Sequence, residues 1–168
     1  MKRKLILLSL AAMLLLTGFG IGRQSATDRA DEARVVGLNH VGLRVSDFEA
    51  AVKFYEHDLG FPMTYKFNDA SGKPIFAYFQ INKSTFIELL PANEQRPEGI
   101  DHFGLEARNI ASMVNHLHGL GIQSSQPSES PYTRVKLAHV EDVNGIYFEL
   151  IEAVDGSELR RVMDNWKE

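Results

Sequence analysis

The hydrophobic pattern of the chain switches between the period of a strand and the period of a helix. Val35–Val45 alternates and is rich in Val and Leu, which predicts a strand. Ser46 or Asp47 can cap a helix that Gly60 ends. The apolar residues of this helix recur at helical spacing at Phe48, Ala51, Val52 and Tyr55. Further strands are predicted at 61–67, 75–81 and 85–90, which completes a βαβββ unit.

The second half of the chain repeats this order. A strand is predicted over Ile100–Ala107, followed by a helix that Asn109 caps and that ends around Gly119 to Gly121. Three strands are then predicted near Ile122, over Thr133–Val140 and over Ile146–Glu152. Within 155–168, a short amphipathic C-terminal helix is indicated by the spacing of Leu159, Val162, Met163 and Trp166.

Two short segments of the first half recur in the second half. GLNHVGL, which contains His40, matches GIDHFGL, which contains His102. TFIELL, which contains Glu88, matches IYFELI, which contains Glu149. The two offsets, 62 and 61 residues, nearly agree, which indicates an internal duplication. We therefore predict an α+β fold of two βαβββ modules, at about 34–91 and 99–154.

The duplicated residues are expected on one face of the sheet. Side chains alternate along a strand, so His40 shares a face with Gly42 and Arg44, and His102 shares one with Gly104. These glycines leave room for a ligand. The other face of the first strand is mostly apolar and should pack against the helix: Asn39, Val41, Leu43 and Val45.

The residue types of this set favour a metal site. A buried carboxylate needs a cationic partner, and Glu88 lies within the apolar run FIELL. A lone strand histidine is more often a core or surface residue, but two histidines and two glutamates related by duplication suit a divalent ion. We predict that one ion per site, Ni, Co or Zn with Mn or Fe as further options, binds His40, Glu88, His102 and Glu149. His139 is interpreted as a surface residue, with a position near the cavity as the less favoured alternative.

Composition excludes several classes of protein. The 168 residues, 44% hydrophobic and 24% charged, are typical of a globular protein. The net charge is −4 and no basic stripe exists, so nucleic acid is not expected as a partner. The chain has no cysteine, which excludes disulfides, thiolate ligands and a cysteine nucleophile.

The N-terminus predicts export. Residues 1–22 combine a basic start with an apolar stretch, as in a signal peptide or an uncleaved N-terminal anchor. A polar linker is predicted at 23–33, before the folded domain at 34–154. The domain is therefore expected in the periplasm or outside the cell. A membrane is expected as a partner only if the N-terminal segment stays uncleaved.

Several passages resemble the vicinal oxygen chelate superfamily and, within it, glyoxalase I (lactoylglutathione lyase). The resemblance spans about 35–152 and is carried by HVGLRVSDFEAAVKFYEHDLG, IELLP, DHFGL and HVEDVNGIYFELI. It implies paired βαβββ modules that form a curved sheet, or metal cup. It also implies a homodimer in which His40 and Glu88 of one subunit meet His102 and Glu149 of the other.

The implied activity is that of a metal-dependent lyase or isomerase, which moves a proton next to a carbonyl of a small substrate such as a hemithioacetal. The metal ion would act as a Lewis acid, and Glu88 or Glu149 would be the catalytic base. Arg44 matches a family position that contacts the substrate glutathione, with a structural ion pair as the alternative. Ala92 stands where family glyoxalases carry a glutathione-binding asparagine, so the resemblance does not extend to glutathione itself.

Two other functions fit parts of the pattern. An extradiol-type iron(II) dioxygenase needs two histidines and one glutamate, which match His40, His102 and Glu149 but leave Glu88 without a role. A small-molecule-binding protein of the resistance type would use the same fold without catalysis.

Overall fold

The computed structural model describes residues 31–167, so the predicted signal peptide or anchor at 1–22 lies outside the described residues. No helix in the described part is long and apolar enough to span a membrane.

Each half of the chain forms one βαβββ module. The first consists of β1 (Val35–Val45), α1 (Phe48–Lys53), β2 (Met63–Asn68), β3 (Pro74–Asn82) and β4 (Thr85–Pro91). The second consists of β5 (Gly99–Ala107), α2 (Ile110–Gly119), β6 (Ser128–Glu129), β7 (Lys136–Glu141) and β8 (Tyr147–Glu152), and α3 (Glu158–Asp164) follows it. A π-helical turn, Phe54–Asp58, extends α1. Asp47 and Asn109 cap the two module helices by accepting hydrogen bonds from Ala50 N and Ser112 N, each at 2.9 Å.

The two modules join into one mixed sheet of eight strands, in the order β2-β3-β4-β1-β5-β8-β7-β6. β1 pairs in parallel with β4, and β5 pairs in parallel with β8, while β1 and β5 run antiparallel across the junction. The predicted duplication is thereby confirmed. Its consequence is that the two histidine strands lie side by side at the centre, each flanked by the glutamate strand of its own module.

Helices cover both faces of the curved sheet. On the outer face, Phe48 and Val52 of α1 pack with β3 and β4, and α2 packs in the same way on the second module. On the inner face, Leu159 and Met163 of α3 pack with Ile151 of β8 and with an aromatic group from the first module: Tyr65, Phe76, Tyr78 and Phe86. α3 therefore covers the inner face where residues of both modules meet.

Two strands of the second module differ from the sequence prediction. Ile122, predicted in a strand, donates its amide to Leu117 O at 3.0 Å and packs against α2, so its amide closes the helix end instead of pairing in a sheet. Ser124, two residues later, makes an isolated bridge to Val140. β7 begins at Lys136, whereas the sequence predicted a strand from Thr133. Arg134 has a φ of 57°, which interrupts extended backbone.

We expect Leu159→Ala to lower the free energy of unfolding by about 2–5 kcal/mol, because Leu159 is buried between the modules and leaves a cavity when truncated. Urea denaturation measures the change. Asp164→Ala on the exposed side of the same helix is the control and should change stability by no more than about 0.5 kcal/mol. Equal effects of the two substitutions would show that α3 does not hold the modules together.

Candidate metal centre

Four strands bring the duplicated residues to one point. The Nε2 atoms of His40 on β1 and His102 on β5 lie 3.0 Å apart. Glu88 Oε2 on β4 lies 3.8 Å from His40 Nε2 and 3.2 Å from His102 Nε2. Glu149 Oε2 on β8 lies 3.7 and 3.9 Å from the same two nitrogens. His40, His102 and Glu149 offer ligand atoms that are all within 4.8 Å of one another.

The centre is assembled within one chain. The resemblance implied that two subunits would each contribute one histidine and one glutamate. That expectation is wrong, because the antiparallel β1–β5 pairing already brings the two modules of a single chain together. The site therefore does not need a second subunit to complete it.

The residues present fit a small divalent ion. Neighbouring ligands about 2.1 Å from an ion lie about 3.0 Å apart in an octahedron and about 3.4 Å apart in a tetrahedron. The observed histidine–histidine and histidine–carboxylate separations of 3.0 to 3.9 Å cover this range. His40 is fully buried and the Glu88 side chain is only 11% exposed. Within the described range, the ion pairs of Glu88 and Glu149 involve histidines only, so neither carboxylate is neutralised by a lysine or arginine.

A β-bulge precedes each histidine. Leu38 pairs with Leu105 and His40 pairs with the adjacent Gly104, so Asn39 is an extra residue on β1. In β5, the extra residue is Asp101, between Ile100 and His102. The expectation that Asn39 would lie among apolar residues against the helix is therefore wrong, since the bulge interrupts the alternation of faces.

The two bulged residues orient the histidine rings. Asn39 Oδ1 lies 3.0 Å from His40 Nδ1, and Asp101 Oδ2 lies 2.8 Å from His102 Nδ1. An amide or carboxylate oxygen accepts hydrogen bonds, so each Nδ1 carries the proton and donates it. Each Nε2 then directs its lone pair toward the centre, as a metal ligand requires.

The two histidines differ in basicity. Burial, together with the nearby His102, lowers the pKa of His40 to about 4. Burial also disfavours charge on His102, but its hydrogen bond with Glu88, both glutamate charges and Asp101 raise its pKa to about 9. Without metal at neutral pH, His102 therefore holds a second proton, which lies between its Nε2 and the acceptors on Glu88 and His40.

The glycines beside the histidines make room for imidazole rings. Gly42 pairs with His102, and Gly104 pairs with His40. A Cβ on Gly42 would lie 2.5 Å from His102 Cε1, and one on Gly104 would collide with the His40 ring in the same way. The space that the sequence analysis reserved for a ligand is thus occupied by the ring of the opposite module's histidine.

Arg44, predicted to bind substrate, lies in a largely buried ion pair. Its Nε donates to Asp101 Oδ1 at 2.9 Å and its Nη1 donates to Pro91 O at 3.0 Å. Arg96 donates to Asp101 Oδ2 at 3.0 Å. Burial opposes the charge on Asp101, but the bonds from Arg44 and His102 hold the pKa of that carboxyl below its ordinary value. Arg44 thus supports the residue that orients His102, and its contact with a substrate remains a prediction.

The second module holds two site residues that sequence analysis did not select. His139 is paired across the strands with Glu149, and its Nε2 lies 3.5 Å from Glu149 Oε1. The Tyr147 hydroxyl donates to the same oxygen at 3.3 Å. The less favoured interpretation of His139, near the cavity, is therefore the one that the structure shows. The available signal was the repeat itself. β7 places His139 opposite Glu149 just as β3 places Tyr78 opposite Glu88 in the first module.

The two glutamate side chains differ modestly in exposure, Glu88 at 11% and Glu149 at 18%, and differ more in their surroundings. Around Glu88, Tyr78 is 8% exposed and Phe86 is fully buried. Around Glu149, the His139 side chain is 48% exposed. A cavity of about 230 Å³ adjoins this side and is lined by His139 and Tyr147. Neither this cavity nor a larger one of about 580 Å³ near the start of β1 is lined by any of the four metal-type residues.

A curved sheet of two βαβββ modules around a histidine–carboxylate centre defines the class of fold. The family model of the Glyoxalase/Bleomycin resistance protein/Dioxygenase superfamily matches residues 37–150, so the chain belongs to that superfamily. Among curated proteins, uncharacterized protein YwkD of Bacillus subtilis (strain 168) is 29% identical over 125 residues, which cover 68% of this chain and 95% of that protein.

Solved structures with the same fold include two enzymes. Methylmalonyl-CoA epimerase from Mycobacterium tuberculosis matches at 22% identity and a TM-score of 0.60, covering 71% of this chain and 89% of that one. An extradiol ring-cleaving dioxygenase from B. fuscum matches at 19% identity and a TM-score of 0.59, covering 71% of this chain and 34% of that one. At these identities the similarity shows the fold alone.

We expect Gly42→Ala to weaken binding of a divalent ion by about 10- to 100-fold, because the added methyl group displaces the His102 ring. Isothermal titration calorimetry with Zn²⁺ or Ni²⁺ measures the affinity. Gly37→Ala is the matched control on the same strand, since no atom lies within 4 Å of a Cβ at that position. An unchanged affinity in Gly42→Ala would contradict the placement of His102 at the centre.

We expect metal binding at pH 7 to release about one proton. With a pKa of about 9, His102 is protonated below pH 9, and a metal ion must displace that proton to bind. Affinity should therefore fall about tenfold for each pH unit below 9, until protonation of His40 near pH 4 steepens the loss. Calorimetry in two buffers of different ionisation enthalpy counts the protons. Binding without proton release would show that His102 is neutral in the metal-free protein.

Proposed function

We propose that the protein is a divalent-metal-dependent lyase or isomerase of the glyoxalase type, which moves a proton next to the carbonyl of a small substrate such as a hemithioacetal. The observation that carries this proposal is the presence of Glu88 beside His40, His102 and Glu149. Both carboxylates lie within 4 Å of both imidazoles. A fourth ligand of this kind suits a metal ion that does not need an open position for oxygen.

The ligand types are compatible with Ni, Co or Zn, and with Mn or Fe. When bound, such an ion supplies Lewis acidity, which polarises a carbonyl and acidifies the neighbouring C–H bond. The two glutamates offset its charge, and the neutral imidazoles add none.

Glu149 is the base that we propose for the proton transfer. Its Oε2 faces the two imidazoles, while its Oε1 points toward Tyr147 and His139. His139 beside Glu149 is half-exposed, and the 230 Å³ cavity is lined by His139 and Tyr147. A substrate that approaches past His139 and Tyr147 could give a proton to Glu149 and receive it back on the adjacent carbon. Glu88, enclosed by Tyr78 and Phe86, would serve as a ligand.

Tyr147 is suited to support this step. Burial and the charge of Glu149 raise the pKa of Tyr147 above its ordinary value, so the hydroxyl remains protonated. It donates to Glu149 Oε1, which holds that carboxylate in place.

An extradiol-type iron(II) dioxygenase is the second candidate. His40, His102 and Glu149 form a compact set of two histidines and one carboxylate, as that chemistry requires. In this case Glu88 would be dispensable. Oxygen uptake by the iron-loaded protein with a catechol would favour this function.

Export and self-association remain proposals. The apolar segment at 1–22 supports a periplasmic or extracellular location, with membrane attachment if it stays uncleaved. A homodimer is proposed from family membership. Since all four ligands come from one chain, dimerisation would affect access or stability rather than complete the centre.

We expect Glu149→Gln to slow proton exchange at the substrate by at least about 100-fold, even at saturating metal, because the amide cannot accept the proton. Exchange of the substrate C–H with deuterated solvent, followed by NMR on a panel of hemithioacetals and epimerisable acids, measures the rate. Metal content is determined by mass spectrometry on the same samples.

Two variants separate the candidates. Glu88→Gln should weaken metal binding and activity under the lyase proposal, but should leave catechol-dependent oxygen uptake intact under the dioxygenase alternative. Glu94→Gln, on the exposed loop between the modules, is the control and should change neither. If metal-saturated Glu149→Gln exchanges at the wild-type rate, Glu149 is not the base.

A further inference from the structure

Four residues outside the metal centre form two clamps that cross between the modules. Arg44 follows His40 by four residues, and Glu106 follows His102 by the same interval. Arg44 bonds to Asp101 of the second module, whereas Glu106 bonds to Asn39 of the first. In each clamp, a residue of one module holds the bulged residue of the other module, and that bulged residue contacts the histidine next to it in sequence.

The Glu106 clamp is buried beside the 580 Å³ cavity. Glu106 is 8% exposed, and Asn39 and His40 are fully buried. Glu106 Oε1 accepts from Ala153 N at 3.0 Å, and its Oε2 accepts from Asn39 Nδ2 at 2.7 Å. Burial of a carboxyl group is costly, and the proposed chemistry gives Glu106 no direct part.

Hydrogen-bond directions along this clamp follow from the ionised carboxylate of Glu106. The Ala153 amide can only donate, and a carboxylate can only accept. Asn39 must therefore present its NH₂ group to Glu106 and its oxygen to His40. An oxygen facing Nδ1 requires the proton of neutral His40 to be on Nδ1, which leaves Nε2 unprotonated.

We infer that Glu106 and Asn39 are positioning residues that fix the tautomer of His40, so that its Nε2 is free to bind the metal ion. This inference rests on the proposed metal-dependent function for its purpose, although its test does not. Asp101, held by Arg44, achieves the same result at His102 with a carboxylate in place of the amide. The two clamps differ in one respect. The Asn39 amide can turn either its oxygen or its NH₂ group toward the histidine, whereas the Asp101 carboxylate can only accept.

The nearly isosteric Glu106→Gln substitution tests this inference. The carbonyl of the introduced amide would accept from Ala153 N, so its NH₂ group would face Asn39. Asn39 would then have to turn its oxygen toward that NH₂ group and its own NH₂ group toward His40. The result would be the opposite tautomer of His40, protonated on Nε2. Divalent metal affinity should fall by about 10- to 100-fold.

Asn39→Asp in the Glu106→Gln background provides the rescue. A carboxylate at position 39 accepts from the introduced amide and from His40 Nδ1 at once, as Asp101 does beside His102. The double variant should therefore regain the original tautomer and most of the metal affinity. Glu152→Gln is the matched control, because Glu152 accepts from Ile110 N and has no recorded bond to Asn39.

The tautomer is read by long-range ¹H–¹⁵N correlation NMR on ¹⁵N-labelled, metal-free, full-length protein, and the affinity by calorimetry with Zn²⁺. We expect Nδ1–H in the wild type and in the double variant, and Nε2–H in Glu106→Gln. A wild-type His40 protonated on Nε2 overturns the inference by itself, whether or not any variant folds. So does a folded Glu106→Gln protein that keeps the wild-type tautomer, or a folded double variant that stays reversed.

The outcomes for the two proposals are distinguishable. If the wild type binds no Zn²⁺, the proposed function fails, while the tautomer of His40 in the metal-free protein still decides the inference. If Glu106→Gln does not fold, Asn39→Ala provides a second comparison. Removal of the acceptor should give a mixture of both His40 tautomers, and a single Nδ1–H form in that variant would contradict the clamp.

Discussion

Two imidazole nitrogens that face each other at 3.0 Å, both with lone pairs, repel unless a cation lies between them. The central part of the fold depends on this constraint. A proton on His102 satisfies it in the metal-free protein, and a divalent ion would satisfy it with the additional help of two carboxylates. The junction of β1 and β5 makes the contact possible, since it places the histidine strands side by side.

The packing around the centre is adapted to this contact. Glycines opposite each histidine allow the rings to lie against the neighbouring strand. The module helices lie on the outer face, so they leave the inner face to the centre and to α3. Burial by α3 and the aromatic residues excludes water from the first module's side, which strengthens the electrostatic interactions there.

The sequence predicted the modules and the four metal-type residues because both depend on local patterns. Alternation and helical spacing define the strands and helices, and duplication relates His40 to His102. The bulges could not be predicted, since one extra residue in a strand leaves no mark on a hydrophobic pattern. The partner of Arg44, Asp101, lies 57 residues away and could not be predicted either. Strand register determines this pair, and register is a property of the folded sheet.

The unequal exposure of the two glutamates affects the stereochemistry of the proposed reaction. Inversion at a single carbon requires acid–base groups on opposite faces of the substrate. Here Glu149 lies beside the half-exposed His139, whereas Glu88 is enclosed by Tyr78 and Phe86. Such a centre would remove and return hydrogen on the same face, so that a duplicated and nearly symmetric set of ligands would give a product of one handedness.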